Sequence, residues 1–238
     1  MKYILLTTGL IVIIFVVYQC VKVYKLIQVS KKLIDQTTAF SIISPQSKER
    51  FLIVGDSLGV GVGTTDSQYS IAGRLSQDYP QAEIQNLSVS GLRIRGGLGI
   101  AQALKEDELF DIIFIQLGAN DVVRLTSLNQ ATIDLQKLFS IAQAHAKKVI
   151  YFNSGSLGYA PIFPFPIDVF YTIRSKYVYS QFQSVALKSG VIYVDLLYDR
   201  TNDPFLKNPN LFYAPDAFHV TDTAYEFWYQ KIQKVLDL

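Results

Sequence analysis

Apolar and polar residues along most of this chain follow the pattern of buried strands separated by amphipathic helices. Short apolar runs bounded by polar or glycine-containing turns predict five strands, and longer segments with apolar residues three or four positions apart predict helices. Strands that alternate with helices imply right-handed crossovers and a parallel sheet covered on both faces, which is an α/β fold. The predicted strands are residues 51–54, 83–87, 112–117, 149–152 and 191–194, and the clearest helices are residues 129–146, 167–189 and about 223–236.

The N-terminal segment has a different pattern, because residues 3–21 carry no formal charge and consist mainly of Ile, Val and Leu. A helix rises about 1.5 Å per residue, so a helix of this length roughly spans the hydrocarbon core of a membrane. A cleaved signal peptide is the alternative, but no small-x-small cleavage site precedes Lys22. Gln19 also stands where a lipoprotein signal needs a small residue before Cys20. We therefore predict an uncleaved transmembrane anchor over residues 1–22.

Residues 23–49 are predicted to be a basic amphipathic segment and a linker. Apolar side chains share one helical face of the first part, namely Val23, Leu26, Ile27, Leu33 and Ile34, and four lysines lie largely elsewhere, namely Lys22, Lys25, Lys31 and Lys32. Such a segment can lie in the headgroup region of anionic lipid, and a solvated stalk is the alternative. Residues 37–47 are expected to be a linker, and the globular domain is expected to cover residues 50–238.

The amino-acid composition argues against nucleic-acid binding and against a metal site. The net charge is +2 and only 18% of residues are charged, so no charge imbalance indicates a nucleic-acid partner. Cys20 is the single cysteine and lies in the apolar segment, so we expect no disulfide and no thiolate metal site in the globular part. The chain has only two histidines, which makes a histidine-rich metal centre an unfavourable hypothesis. We expect no cofactor and no metal.

The first predicted strand ends in Gly55-Asp56-Ser57-Leu58-Gly59, which places one hydroxyl at the edge of the sheet between glycines. Nucleophilic serines need such a setting, since glycine permits a tight turn and the close approach of a substrate. A turn residue or a helix cap is the alternative role of a serine after a strand. The choice depends on whether the chain also supplies a base, an acid and oxyanion donors.

The two histidines lie in different surroundings. His145 is at the polar end of a predicted helix, where we expect a solvated surface residue. His219 lies in a proline-broken loop, three residues after Asp216. Such a loop can fold so that the carboxylate holds the imidazole and fixes its tautomer, as serine catalysis requires. An ordinary turn that contains Asp and His is the alternative.

Two further strand ends offer oxyanion donors. The third strand leads into Gly118-Ala119-Asn120-Asp121, where the amide of Asn120 can donate to a developing negative oxygen. The second strand leads into Ser88-Val89-Ser90-Gly91, which exposes the backbone N–H of Gly91. Because sites in such sheets form at the C-terminal ends of the strands, we expect Ser57, Gly91 and Asn120 to lie together.

These blocks, in this order, resemble the SGNH hydrolase (GDSL esterase/lipase) superfamily over about residues 50–238. The resemblance implies a three-layer α/β/α flavodoxin-like fold. It also implies a catalytic triad and an oxyanion hole, with Ser57, Asp216 and His219 in the triad and Ser57, Gly91 and Asn120 as oxyanion donors. Asp121 is expected to be a structural hydrogen-bonding partner. Val220 departs from the family pattern, because many members have proline or another turn former after the histidine.

Two rival motifs fit less well. Gly59-Val60-Gly61-Val62-Gly63 follows a strand, but it lacks the G-x-G-x-x-G spacing of a dinucleotide loop, and no acidic residue ends the second strand. The segment from Gly55 to Gly59 matches the G-x-S-x-G elbow of α/β-hydrolases. That fold usually places its elbow after several strands and puts acid and histidine on separate loops, whereas here Ser57 follows the first strand.

The segment after the fourth strand, residues 159–166, is rich in proline and aromatic residues. Its prolines exclude a regular helix, and its aromatic residues exceed those of a typical solvated loop. Phe163 and Phe165 are therefore candidates to bind an acyl chain, and the loop can also contact a bilayer. A packed surface loop is the alternative.

The resulting hypothesis is a membrane-anchored serine esterase that hydrolyses an acyl or acetyl ester of a small molecule or lipid through an acyl-enzyme. The alternative is a catalytically silent, membrane-tethered binding module on the same fold. For location, we expect a single-pass protein of a bacterial inner membrane. The lysines after the anchor favour a cytoplasmic domain by the positive-inside rule. The short N-terminal tail with Lys2 is typical of export signals, and on that basis we prefer a periplasmic domain.

Overall fold

The centre of the molecule is one sheet of five parallel strands. The computed structural model describes residues 2–44 and 46–236. The strands are β1 Glu49–Gly55, β2 Ala82–Asn86, β3 Phe110–Gln116, β4 Ala146–Phe152 and β5 Ile192–Val194. Their order across the sheet is β2-β1-β3-β4-β5, and all four pairings are parallel. Gly55 of β1 lies opposite Gln116 of β3, so the two central strands end at the same edge. We call this the C-terminal edge.

Helices connect the strands and cover both faces of the sheet. They are α1 Lys2–Gln36, α2 Ser57–Val60, α3 Ile71–Asp78, α4 Ile94–Gln102, α5 Ala119–Val123, α6 Leu128–His145, α7 Ile167–Lys188, α8 Pro204–Lys207, α9 Pro209–Phe212 and α10 Asp222–Leu236. The five strands and the three clearest helices predicted from the sequence are confirmed, with ends that differ by at most three residues. The three-layer α/β/α fold is confirmed as well.

Alternate residues of the central strands enter two separate hydrophobic cores. Leu52 and Ile113 point to a core that also contains apolar residues of α4, α6 and α7. Phe51 and Phe114 point to the other core, which α3 and α10 complete. Successive strand residues face opposite sides of a sheet, so strands covered on both sides must be apolar throughout. This explains why β1 and β3 read as continuous apolar runs.

The first helix is continuous through the predicted boundary at residue 22. Within it, Thr7–Gln36 is long and apolar enough to cross a membrane, and its most apolar stretch is not buried against the rest of the chain. Its second half is different, because Val23, Leu26, Ser30 and Leu33 are half-buried at spacings of three and four residues. This face therefore packs against the globular part. Ile27, which the sequence pattern places on the same face, is exposed.

The segment after α1, predicted to be a linker, is bound to the edge of the sheet. Ile42 pairs with Ile84 of β2 as an antiparallel bridge, with N–O distances of 2.9 and 2.8 Å. The Asn86 N–H donates to Ser41 Oγ at 3.1 Å, and Phe40 packs against the core beside α3 and α10. Because Asn86 is the last residue of β2, α1 ends close to the C-terminal edge.

Candidate active site

The C-terminal edge brings together residues that are far apart in the sequence. Ser57, Gly91 and Asn120 follow β1, β2 and β3, which are neighbours in the sheet. His219 and Asp216 come from the loop before α10, and this loop reaches the same edge because His219 hydrogen-bonds to Ser57. The close arrangement is a consequence of parallel strands, whose carboxyl ends share one edge.

Ser57, His219 and Asp216 form a continuous line of hydrogen bonds. His219 Nε2 lies 3.0 Å from Ser57 Oγ, and His219 Nδ1 lies 2.5 Å from Asp216 Oδ2. All three residues are buried, with exposed fractions of 8% for Ser57, 3% for His219 and 0% for Asp216. When Nδ1 carries a proton for the carboxylate, Nε2 has a free lone pair directed at the serine hydroxyl. This arrangement can remove a proton from Ser57.

The carboxylate of Asp216 is held in its charged form. Burial raises the pKa of Asp216, but hydrogen bonds from His219 and from backbone N–H groups outweigh burial, so that its pKa lies below the usual value. The backbone donors are the N–H groups of Phe218 and His219, at 3.0 and 2.9 Å from Asp216 Oδ1. A spacing of three residues between acid and base allows one carboxylate to bind both the backbone and the imidazole of His219.

Local structure fixes Ser57 at the start of α2. Asp56 caps this helix, since its carboxylate accepts a hydrogen bond from the Leu58 N–H at 3.0 Å. Ser57 is the first helical residue, so its N–H has no partner within the helix. The flanking glycines allow close packing: a Cβ on Gly59 would lie 2.3 Å from Ser88 Oγ. Gly59 therefore admits the side chain of Ser88, a contact that the sequence does not indicate.

Asp56 is a site residue to which the sequence analysis assigned no role. It is 1% exposed, and its Oδ2 accepts from Asn120 Nδ2 at 3.3 Å. Burial raises the pKa of Asp56 to about 6, although the Leu58 N–H and His219 lower it. An aspartate directly before the first residue of a helix is typical of an N-cap, so the sequence could have indicated this role of Asp56. Nothing in the sequence indicates its contact with Asn120.

The other predicted oxyanion donors lie on the loops that follow β2 and β3. Asn120 is in the first turn of α5, which begins after Gly118 at a φ of +119°. Gly91 has a φ of +81°, a conformation that favours glycine. Asp121 is buried and accepts from the Ile94 N–H at 2.9 Å, so it joins α5 to the start of α4, as expected of a structural partner.

The loop of residues 159–166, which we call the aromatic loop, lies beside the loop that contains Asp216 and His219. The Ile162 N–H donates to the Ala217 carbonyl at 3.0 Å. The ring of Phe163 contacts Phe218, with centroids 5.9 Å apart, whereas Phe165 is 77% exposed. The two phenylalanines that the sequence grouped together therefore have different surroundings. A cavity of about 40 Å³ lies beside His219, with Leu58, Ala119, Ser154, Tyr159 and Phe218 among its lining residues.

Helix α1 reaches the site, which the sequence does not indicate. Ser30 Oγ lies 3.5 Å from His219 Nδ1, on the half-buried face of α1. His145 lies elsewhere: its Nδ1 is 2.9 Å from the carbonyl of Glu108, which precedes β3 at the opposite edge. It is half-buried rather than fully solvated. Among the described residues, no cluster of His, Cys, Asp and Glu has the arrangement of a metal site.

Comparison with known proteins gives several matches of the same kind. An esterase of Pseudomonas aeruginosa, Esterase TesA, is 31% identical over 105 residues, which are 43% of this chain and 52% of the esterase. The match therefore spans about half of that relative. A lipolytic G-D-S-L protein from Veillonella parvula has a TM-score of 0.62 at 14% identity, with 78% of this chain and 97% of that chain covered. Axe2, an acetylxylan esterase from Geobacillus stearothermophilus, has a TM-score of 0.57 at 17% identity, with 81% and 95% covered.

The family-level match extends over most of the globular part. The model of the GDSL-like lipase/acylhydrolase family matches residues 53–227. This region contains the Ser57 turn, the Gly91 loop, the Asn120 turn and the loop with Asp216 and His219. It begins within β1 and ends within α10, so it includes the end of β1, the other four strands and helices of both layers. The chain belongs to the GDSL-like lipase/acylhydrolase family.

Proposed function

We propose that this chain is a carboxylic ester hydrolase with Ser57 as nucleophile, His219 as general base and Asp216 as the residue that orients His219. The observation that carries the proposal is the buried hydrogen-bond line, with 3.0 Å between Ser57 Oγ and His219 Nε2 and 2.5 Å between His219 Nδ1 and Asp216 Oδ2. Family membership supports the reaction class. The lowered pKa of Asp216 supports a charged carboxylate beside an imidazole that becomes positive during reaction.

The reaction proceeds in two halves. Ser57 Oγ attacks the ester carbonyl carbon while His219 Nε2 takes the hydroxyl proton, and the tetrahedral intermediate then expels the alcohol, which receives that proton from His219. Water attacks the resulting acyl-Ser57 in the second half. His219 again accepts a proton, the acid leaves, and the proton returns to Ser57 Oγ. Asp216 remains charged throughout and stabilises the imidazolium.

The oxyanion of the tetrahedral intermediate would be bound by three donors, the N–H groups of Ser57 and Gly91 and the side-chain amide of Asn120. The position of Ser57 at the start of α2 supports its N–H as an available donor. The contact between Asn120 and Asp56 supports a fixed orientation of the amide before the substrate binds. Donors fixed in advance stabilise developing charge without reorganisation in the transition state.

For the substrate, we propose an ester with an acyl or acetyl group on a small molecule or lipid. The names of the relatives, an esterase and an acetylxylan esterase, support esters of both kinds. Phe163 and Phe165 are the proposed acyl contacts, because the loop that carries them lies against the loop of His219. Thioesters fit the same machinery. The reaction as proposed uses no cofactor and no metal.

We further propose that α1 anchors the chain in a bacterial inner membrane, with the catalytic domain on the periplasmic side. The length and apolar character of Thr7–Gln36 support an anchor, and a signal sequence would pass the same test. The proposed division of the chain is an anchor at residues 1–22, a basic segment and linker at 23–49 and a hydrolase domain at 50–238. The proposed partners are the ester substrate and the membrane, with no nucleic acid.

Replacement of the nucleophile tests the proposed reaction. Ser57→Ala should abolish hydrolysis of p-nitrophenyl esters and labelling by a fluorophosphonate, which transfers its phosphonyl group to a nucleophilic serine and releases fluoride. The matched control is Ser180→Ala on the exposed side of α7, which should hydrolyse and label as the parent does. Turnover by a folded Ser57→Ala variant would contradict the mechanism. Absence of both turnover and labelling in the parent would favour the silent binding module.

A further inference from the structure

Exposed apolar side chains are concentrated near the start of α7. Phe165, just before this helix, and Phe170, Ile173 and Tyr177 within it are all exposed. The spacing of the last three is three and four residues, so they share one face of the helix. We call these four residues the α7 stripe. A stripe of large apolar residues that no described part of the chain covers marks an interaction surface.

The stripe lies on the same side of the molecule as the catalytic residues. Helix α7 follows β4, so its first turns are at the C-terminal edge and its last turns are near the opposite edge. Val89 and Leu125, which follow β2 and β3, are also large apolar residues exposed at the C-terminal edge. Leu187, in the last turn of α7, is exposed as well, but it stands alone there.

A chain of aromatic contacts joins the stripe to the catalytic histidine. The ring of Phe170 contacts Tyr171 at a centroid distance of 5.2 Å, and Tyr171 contacts Phe163 at 4.5 Å with the two rings tilted by 37°. Phe163 contacts Phe218 at 5.9 Å, and Phe218 contacts His219 at 5.3 Å. An apolar path therefore runs from the exposed stripe to the site of reaction.

Helix α1 limits the distance between the site and the proposed membrane. Ser30 contacts His219, and Val21 is the last residue of the uncharged segment. Nine residues of helix separate them, so His219 lies about 14 Å along the helix axis from the end of the apolar segment. Half the difference between full and core bilayer thickness gives about 5–8 Å for the headgroup region of one leaflet, so His219 lies roughly one further headgroup depth outside that region.

Exposed lysines near the site are of the charge that binds anionic lipid headgroups. The second half of α1, whose other face packs against the globular part, carries Lys22, Lys25, Lys31 and Lys32, all exposed. Lys176 is exposed beside Tyr177, whereas the guanidinium of Arg174 is bound to the carbonyl of Val122. Lysines next to apolar side chains favour the headgroup region of an anionic membrane.

We propose that the C-terminal edge of the sheet is a membrane-docking surface, in which the α7 stripe enters the headgroup region of the bilayer that α1 crosses. The substrate would then be an amphiphilic ester of that membrane, whose acyl chain follows the aromatic path to His219. The identity of the substrate rests on the proposed esterase function, while the docking surface rests on the stripe and on the contact between α1 and His219.

A pair of variants separates docking from chemistry. Phe170→Ser/Ile173→Ser removes the middle of the stripe, and Leu109→Ser/Leu187→Ser removes two similarly exposed apolar residues near the opposite edge of the sheet. The full chain is reconstituted in vesicles of phosphatidylethanolamine and phosphatidylglycerol that contain a fluorogenic long-chain lipid ester. The stripe variant should hydrolyse this ester at least about tenfold more slowly, because it loses apolar contact with the bilayer, and should keep p-nitrophenyl acetate hydrolysis within about twofold. The control variant should retain both activities. Equal losses on the two substrates, or no loss on either, would overturn the proposal.

A second measurement does not depend on activity. An environment-sensitive dye on Phe170→Cys/Cys20→Ser, in the same vesicles, should emit at shorter wavelength and be quenched by a lipid-borne quencher. The same dye on Leu187→Cys/Cys20→Ser should show neither effect. Equal behaviour at the two positions would overturn the docking surface even if the enzyme is active. Failure of both ester assays in the parent, with a positive dye result, would instead overturn the proposed hydrolysis and leave docking supported.

Discussion

At the scale of single residues, Asp56 determines how the proposed site is prepared for reaction. Its carboxylate contacts the Leu58 N–H and Asn120 Nδ2, and it is almost completely buried. One group thus starts the helix that carries Ser57 and also orients a proposed oxyanion donor. Burial of a carboxylate has a cost, which is visible in its pKa of about 6. Variants of Asn120 and of Asp56 separate the cap of α2 from the orientation of the Asn120 amide.

Asn120→Ala should lower kcat by about 10²–10³-fold with a smaller change in KM, because an oxyanion donor acts mainly in the transition state. Steady-state kinetics on a p-nitrophenyl ester measure both constants. Asn129→Ala, at an exposed position in the first turn of α6, is the control and should leave both unchanged. A loss confined to KM would mean that Asn120 binds the substrate in its ground state instead.

Asp56→Asn should change the pH dependence of stability. The pKa of Asp56 is raised from an ordinary value of 3.8 to about 6, so the folded protein binds the proton more tightly than the unfolded chain does. The resulting stability is fully present below the unfolded-state pKa. It is lost as the pH rises through about 6. The variant lacks this loss, so its stability relative to the parent should improve by up to about 3 kcal/mol between pH 4 and pH 7.5. The variant should also be less active, because an NH₂ group replaces the carboxylate oxygen that accepts the hydrogen bond from Asn120 Nδ2.

Thermal unfolding of both full-length proteins in detergent, at pH 4 and pH 7.5, checks this expectation. Ser180→Ala is a suitable reference for surface effects, because it should shift neither curve. A difference between the Asp56→Asn variant and the parent that is the same at both pH values would contradict the assignment of a raised pKa to Asp56.

At the scale of elements, packing between loops at the C-terminal edge determines the position of Ser57. Gly55 and Gly59 lie against Ser88, which follows β2. The Val89 N–H donates to the Gly55 carbonyl at 3.0 Å, so the loop after β2 is fixed to the end of β1. Neighbouring strands in the sheet thereby bring the loop that contains Gly91 towards Ser57.

Gly59→Ala should therefore destabilise the protein by about 1–3 kcal/mol, because the new Cβ would overlap the Ser88 side chain. Ser88→Gly in the same chain should restore most of the loss. Gly99→Ala is the matched control, because Gly99 lies in α4 with open space around it, and it should stabilise by about 0.5–1 kcal/mol. Chemical denaturation measures all three variants, and an equal effect of Gly59→Ala with and without Ser88 would contradict the packing argument.

Phe163→Ser/Phe165→Ser tests the acyl contacts of the aromatic loop. Each buried CH₂ contributes roughly 0.8 kcal/mol, so the loss in kcat/KM should increase with the length of the acyl chain and be smallest for acetyl esters. Kinetics on a series of p-nitrophenyl esters give the dependence. Equal losses in kcat/KM at every chain length would instead favour a packed surface loop. The half-buried Phe163 is compatible with such a loop.

At the scale of the whole molecule, one helix connects the proposed membrane anchor to the catalytic edge. Helix α1 continues from Lys2 to Gln36, its second half packs against the globular part, and the chain then runs beside β2 to reach β1. The orientation of α1 in a membrane therefore determines which side of the membrane receives the catalytic residues. The sequence features conflict on this point, since Lys2 favours export and the later lysines favour retention.

Fusions after Leu238 decide between the two orientations. We expect alkaline phosphatase to be active and a cytoplasmic fluorescent reporter to be dark, because Lys2 on the N-terminal side of the apolar segment favours export of the part that follows. A fluorescent fusion whose phosphatase counterpart is inactive would place the catalytic domain in the cytoplasm and overturn the expected topology.

The sequence by itself determined the alternation of strands and helices and the blocks that resemble one hydrolase family. Hydrophobic periodicity is a local property, so β1, β3 and α10 were predicted nearly to their ends. The placement of Ser57, Gly91 and Asn120 after three neighbouring strands also followed, because parallel strands end at one edge. Their catalytic roles stay predictions.

Only the tertiary structure decided the contacts that join distant segments. Asp56 with Asn120, Gly59 with Ser88, and Ser30 with His219 depend on how loops and helices pack, and each pair is far apart in the chain. Such contacts have no periodicity, because they arise from the shape of the assembled fold rather than from a repeating pattern. For the same reason, the sequence predicted an amphipathic face on α1 but not that this face lies against His219.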